Sequence, residues 1–172
     1  MKDQSVADFY RWWPQYNSRL VEAIRPLTDE QLKLRISPAN FPIWALAAHT
    51  AGTRVYWLCG VLKEKGAETT PFTDPLSGIG WEDEPDDPRG AAELVGALES
   101  SWRIVEGCLR RWTPAMLNED FTRESRGKLQ HHTRQAVLMR MLTHDAFHSG
   151  EISQLLGAHG LAEIDLWRAP TA

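Results

Sequence analysis

Apolar side chains recur every three or four residues along four stretches of the chain, the spacing of one face of an α-helix. The first stretch contains Pro14, which should kink the helix or begin a second segment. Thr28 then resembles the N-cap of a short helix, with Gln31 three residues later. The apolar face of this first stretch is Phe9, Trp13, Tyr16, Leu20, Ile24 and Leu27.

Three longer helices follow in the same pattern. The second begins at Pro42 or Ile43 and ends near Leu62, and the third covers about 91–112. The fourth is predicted from an N-cap at Thr133 to about Ala158. No alternating pattern is long enough to predict a strand. The chain is therefore predicted to be all-α, a four-helix bundle that forms one domain over 1–172.

The connection between the second and third helices, 63–89, is long, rich in proline and glycine, and acidic at 82–87. Loops of this length inside a compact domain are usually functional or mobile. Two interpretations stay open, a lid over a site and a floppy crossover. Trp81 in this segment is the aromatic residue that we expect to form a wall of a substrate pocket.

The amino-acid composition and net charge limit the partners and the location that are expected for this protein. The chain has 172 residues and a formal net charge of −4, with eight Trp and six His. This charge argues against partners with polyanionic surfaces, so neither nucleic acid nor a membrane is expected as a partner. The first residues lack the apolar core of a secretory signal. Cys59 and Cys108 lie in helical patterns and are expected to be small core residues, which fits a cytoplasmic protein.

The fourth helix carries the residue types that suggest chemistry. His144 and His148 are one helical turn apart, so both imidazoles can face one ion. They share the apolar seam of this helix with Glu151, and polar groups on such a seam need partners. A hydrogen-bonded core histidine is the ordinary alternative for such a pair. Imidazole is also a good ligand for zinc, nickel and other divalent metals.

The second helix offers a third nitrogen. His49 is flanked by small residues, which leave room for an ion and its ligand. Three histidines from two helices would leave coordination positions open, as catalytic rather than structural metal sites do. His131, His132 and His159 are expected to lie outside the site, the first two in a solvated loop.

The spacing of these residues resembles the DinB-like superfamily. The matching residues are Trp44 and His49, followed by His144, Asp145, His148, Gly150, Glu151, Ile152, Leu155, Leu156 and Gly160. The resemblance implies a four-helix bundle that is often a homodimer, with a divalent metal, zinc or nickel, held by His49, His144 and His148. Relatives include mycothiol-dependent maleylpyruvate isomerase and bacillithiol S-transferases, which implies a low-molecular-weight thiol such as bacillithiol or mycothiol as cofactor.

From these features we expect a metal-activated thiol that attacks a small electrophile. Glu151 could orient a ligand histidine or act as a base, and Tyr56 could donate a hydrogen bond into the pocket, although a surface salt bridge and a core aromatic residue are the simpler roles. Asp145 is expected near the ligands or at the surface. Two other functions share the same ligands, a non-enzymatic metal or small-ligand binding protein of a stress response and a metal-dependent hydrolase.

Overall fold

The computed structural model describes residues 5–74, 77–165 and 167–168. The described part of the chain is mostly helical, as the apolar spacing predicts. It contains five α-helices, α1 (Trp13–Ile24), α2 (Asp29–Leu32), α3 (Ile43–Val55), α4 (Ala91–Arg111) and α5 (Arg134–Ala158). A π-helical segment, Tyr56–Val61, continues α3. Two antiparallel strands, β1 (Asp120–Ser125) and β2 (Lys128–Thr133), precede α5.

The β-hairpin corrects the prediction of an all-α chain. Exposed and half-buried residues alternate along β1, but the half-buried residues include Arg123 and Ser125. Polar and apolar residues therefore do not alternate in this strand. The turn residues Arg126 and Gly127 have φ values of 51° and 69°, as a two-residue hairpin turn requires. Short strands with polar inner faces leave no period-two apolar signal, which is why the sequence pattern does not reveal them.

Helix α3 lies at the centre of the core and packs against both α4 and α5. Its first six residues, 43–48, are all buried, so that it meets neighbours on every side. Ala45, Ala47 and Ala48 are almost fully covered, and their small side chains let the neighbouring helices approach closely. Packing of this kind fixes the position of α3 relative to α5, and these two helices carry the three histidines singled out above.

The predicted apolar face of the first stretch is only partly correct. Trp13, Leu20 and Ile24 are buried, but Phe9 is 83% exposed and Tyr16 is 49% exposed. Phe9 is exposed because α1 begins at Trp13, with Pro14 in its first turn, so that residues before it do not continue the same helical face. Pro14 thus begins a helix rather than kinking one.

Local signals at the other helix ends are confirmed. Thr28 and Gln31 form a reciprocal capping box at α2, and the Thr133 hydroxyl accepts a hydrogen bond from the backbone N–H of Ala136. Gly160 follows α5 with a φ of 71°, the left-handed conformation that terminates helices. These contacts are short in sequence, which is why the residue types alone predict them.

Both cysteines are buried and free, as predicted. Burial raises the pKa of the Cys59 thiol to about 11 and that of Cys108 to about 12. Neither thiol is therefore ionised near neutral pH, and both serve as small core residues. In the described residues, no helix combines the length and the apolar character needed to cross a membrane.

Candidate metal centre

Three imidazole nitrogens converge between α3 and α5. Nε2 of His144 lies 3.0 Å from Nε2 of His49 and 3.1 Å from Nε2 of His148. The three residues are half-buried, and one nitrogen from each lies within 4.8 Å of the others. The structure thus brings together the three histidines that the sequence spacing selects, one from the central helix and two from one turn of the last helix.

The outer nitrogens of two of these rings contact carboxylates. Nδ1–H of His49 donates to Oε1 of Glu82 at 2.5 Å, and Nδ1–H of His148 donates to Oε2 of Glu151 at 2.6 Å. A carboxylate only accepts, so the proton of each ring sits on Nδ1 and Nε2 keeps its lone pair. Carboxylate partners of this kind orient metal-binding histidines and increase their basicity.

The donor set fits a divalent cation. His144 can donate from Nε2 to only one of its two neighbours, so at least one close pair of nitrogens has no proton between them. Its Nδ1 is buried and has no hydrogen-bond partner in the described part of the chain. Nitrogens bound to one ion at about 2.1 Å lie about 3.0–3.4 Å apart, which agrees with the observed separations. A cation would turn this repulsive contact into a favourable one.

Electrostatics keep the central ring neutral. The pKa of His144 is lowered to about 3, most of all by burial and then by the neighbouring His148 and His49 and by nearby arginines. A neutral imidazole with a free lone pair is the form that binds metal. His144 is therefore ready to act as a ligand across the physiological pH range.

Glu82 reaches the site from the long connection between α3 and α4. Its side chain is only 11% exposed, and the short helical turn Trp81–Asp83 that carries it packs against α3. A Cβ on Gly80 would lie 2.1 Å from the Glu82 carboxylate, so a glycine is needed there for Glu82 to fold back. The sequence signal was the acidic run 82–87, within which nothing distinguished Glu82 from its neighbours.

A cavity of about 370 Å³ adjoins His49 and His144. Tyr56 lines it, as predicted, and its hydroxyl oxygen accepts a hydrogen bond from Nη1 of Arg123 at 2.8 Å. Arg123 and Arg140 line the same cavity. Sequence reasoning missed both arginines, because Arg123 lies on the unpredicted hairpin and Arg140, one turn before His144, is not one of the apolar residues from which α5 was predicted.

Comparison with known proteins identifies the family to which this architecture belongs. The model of the DinB superfamily matches residues 15–152. The chain belongs to the DinB superfamily. A DinB-like protein from Bacillus cereus ATCC 10987 has a similar structure, with a TM-score of 0.71 and 19% sequence identity over 96% of this chain and 99% of that one. At this identity the likeness shows the fold alone. No curated protein matches the sequence.

The DinB superfamily includes metal-dependent enzymes, and the three-histidine cluster of this member could hold a divalent metal. Glu151 contacts His148 and no other ring of the centre. Trp81 lines a cavity separate from the one beside the histidines. Its ring packs against Phe72 at 4.8 Å and under the Arg89 guanidinium at 4.7 Å, because the turn that places Glu82 inward directs Trp81 away.

Asp145 is neither at the surface nor a partner of the histidines. It is buried on the opposite side of α5 and forms an ion pair with Arg54 at 2.9 Å. The remaining histidines lie outside the centre. His131 pairs with Asp120 on the exposed face of the hairpin, whereas His132 packs on Trp57 at 5.0 Å, so both are strand residues and not loop residues. His159 is exposed.

Proposed function

We propose that this DinB protein is a metal-dependent, transferase-like protein that activates a low-molecular-weight thiol for attack on a small electrophile. His49, His144 and His148 would hold the divalent cation, with zinc or nickel as the metal. The observation that carries the proposal is the convergence of three Nε2 atoms beside a cavity, with three donors from the described residues and hence open coordination positions.

The thiol is supported by the family resemblance, and the metal by the donor chemistry. All three donors are imidazoles, which suit zinc and nickel better than magnesium or calcium. Two of the three are held by carboxylates, Glu82 and Glu151. A site with such partners is preorganised, so little rearrangement accompanies metal uptake.

The chain's own residues have separable roles in this function. A bound divalent cation lowers the pKa of a thiol that contacts it, so that thiolate is available at neutral pH. Glu82 and Glu151 hold two ligand rings in the tautomer that presents Nε2. The hydroxyl of Tyr56 accepts from Arg123 and keeps its own proton to donate to negative charge that develops on the electrophile.

The test is a thiol titration of cobalt-substituted protein with bacillithiol, mycothiol and glutathione. Binding of sulfur to the metal produces a charge-transfer band, which we expect with at least one of these thiols. Cobalt uptake without a spectral change for any thiol would overturn the thiol assignment and favour a hydrolase or a binding protein. Failure to take up cobalt would overturn the metal site itself.

Kinetics would then separate the two predicted catalytic residues. With a reactive electrophile, Tyr56→Phe is expected to lower kcat by about 10- to 100-fold with little change in metal content, because only a proton donor is lost. Glu151→Gln is expected to weaken metal binding instead, since its contact is with His148. Tyr10→Phe, a change outside the cavity, is the matched control.

The homodimer implied by the resemblance and the cytoplasmic location inferred from the two cysteines are part of the same proposal. Light scattering of the purified protein tests the first directly, with a mass near twice the 19.5 kDa of the chain as the expected result. A monomer at micromolar concentration would contradict it.

A further inference from the structure

Two arginines line the cavity next to the three histidines and have no carboxylate partner among the described residues. Arg123 on β1 uses Nε to donate to Gln130 at 2.9 Å and Nη1 to donate to Tyr56. Arg140, on α5, has its guanidinium over an indole ring. Other arginines of this fold, such as Arg54 and Arg134, form ion pairs with buried or half-buried carboxylates.

The side chain of Trp57 holds these two arginines in place. The Arg123 guanidinium carbon lies 4.5 Å from the indole centroid, and that of Arg140 lies 4.6 Å from it. Stacking uses the face of a guanidinium and leaves N–H groups on its edge. The arrangement thus keeps two positive charges at one aromatic ring with donors still available, although like charges repel each other.

The positive field extends over the cavity. Burial is the largest cause that lowers the pKa of His132, and both arginines lower it further. Glu82 is the carboxylate that lines the cavity, and its contact is with His49. Two cations therefore face the space beside the histidines without a counterion among the described residues.

We propose that Arg123 and Arg140 form a subsite for the carboxylate of a small organic molecule whose other end reaches the three-histidine centre. Guanidinium groups bind carboxylates through paired, charge-assisted hydrogen bonds. A singly charged carboxylate is favoured over a phosphate because Glu82 places a negative charge in the same cavity. Phe72 and Ile79, which line the cavity as well, provide contact for the apolar part of such a ligand.

The subsite has a test that needs no metal. The indole N–H resonance of Trp57, assigned with Trp57→Phe, is followed while metal-free protein is titrated with 4-phenylbutyrate or with its uncharged amide. We expect the acid to shift this resonance and to bind at least about 10-fold more tightly than the amide, the gain of one charge-assisted hydrogen bond. Equal affinity of acid and amide would overturn the proposal.

Substitutions locate the effect. Arg123→Gln and Arg140→Gln should each reduce the preference for the acid to about 2-fold, because one of two cations is lost. Lys128→Gln removes a positive charge from the same hairpin outside the cavity and should leave the preference unchanged. A loss in all three variants would indicate a general charge effect and contradict the subsite. Tighter binding of inorganic phosphate than of the acid would overturn the choice of carboxylate.

The link to the histidines rests on the proposed function and is tested separately. Cobalt-substituted protein is titrated with 3-mercaptopropionate and with 3-mercaptopropionamide, using the charge-transfer band. We expect at least about 10-fold tighter binding of the acid, lost in Arg140→Gln. If neither thiol produces the band, the proposed thiol binding is wrong, and the carboxylate subsite is still decided by the indole titration. A band of equal affinity for both, together with a positive indole titration, would show that one molecule does not occupy both sites.

Discussion

Adjacent residues on α5 belong to two polar regions of opposite character. His144 faces the three-histidine centre, whereas Asp145 faces a buried network on the other side of the helix. In the network, Arg54 donates to Asp145, to Asn17 at 2.8 Å and to the backbone oxygen of Leu98 at 3.3 Å. In the centre, by contrast, nitrogen lone pairs face one another, and Nδ1 of His144 has no partner among the residues that the structure describes.

The Arg54 network stabilises the fold, whereas the three-histidine centre is the candidate functional site. The Arg54 network closes upon itself: Asp145 also accepts from the indole N–H of Trp13 at 3.3 Å, so α1, α3, α4 and α5 are joined by groups that satisfy one another. The histidine centre is complete only with something the chain does not supply. Nitrogen lone pairs that face one another without enough protons between them are unfavourable, and three such nitrogens directed at one point identify a place for a ligand.

The largest effect is expected from opening the closed network. Asp145→Ala leaves the Arg54 guanidinium, whose side chain is 1% exposed, without its counterion. We expect a loss of about 3–5 kcal/mol in the free energy of unfolding, measured by urea denaturation of metal-free protein.

The double variant Arg54→Met/Asp145→Leu is its control. Removing both charges should restore most of the lost stability, because no buried charge is left unpaired. A double variant as unstable as the single one would show that the network acts by its shape and not by charge pairing, which would break the contrast with the histidine centre.

The next effect concerns the open centre. His148→Ala is expected to weaken zinc or nickel binding by more than about 100-fold. This loss exceeds the one typical when only a hydrogen-bond partner of a metal-binding residue is removed. The metal-free form of His148→Ala should lose less stability than Asp145→Ala does, because no unpaired charge remains. Competition with a chromophoric chelator measures the affinity, and His159→Ala is the matched control. Equal metal content in the unmodified protein, His148→Ala and His159→Ala would contradict the three-histidine site.

A smaller effect is expected from the connecting segment. Glu82→Gln should weaken metal binding by about 10-fold, since His49 loses a charged acceptor. Gly80→Ala should have a similar effect, because the added Cβ would overlap the Glu82 carboxylate. Glu84→Gln and Gly96→Ala are the controls, the latter because nothing lies within 4 Å of a Cβ at that helical position. Unchanged metal affinity in both Glu82→Gln and Gly80→Ala would show that the contact of Glu82 with His49 does not support metal binding.

The smallest effect concerns His132, beside the arginine pair. Burial, and then Arg123 and Arg140, lower the pKa of His132 below its ordinary 6.5. The folded state thus binds fewer protons here than the unfolded state, so this residue's contribution to stability is lost as pH falls below 6.5. In Arg140→Gln the pKa of His132, followed by NMR, should rise. No rise would place Arg140 too far away to act on the cavity.

The candidate centre shows how far sequence reasoning reaches. His144 and His148 are one turn apart, and any helix places such residues on one face. His49 is recognisable by its small neighbours and by the resemblance to the DinB-like superfamily. Its approach to within 3.0 Å of His144, however, follows from the packing of α3 against α5, which no local pattern specifies.

The sequence by itself determined the helices, their caps and the residue types of the centre, because these depend on neighbours three or four residues away. Only the tertiary structure decided which carboxylate meets His49 and which cation meets Asp145. Those pairs are separated by 33 residues and 91 residues. The hairpin that carries Arg123 belongs with them, since its inner face is polar and its stability comes from packing rather than from a repeating apolar pattern.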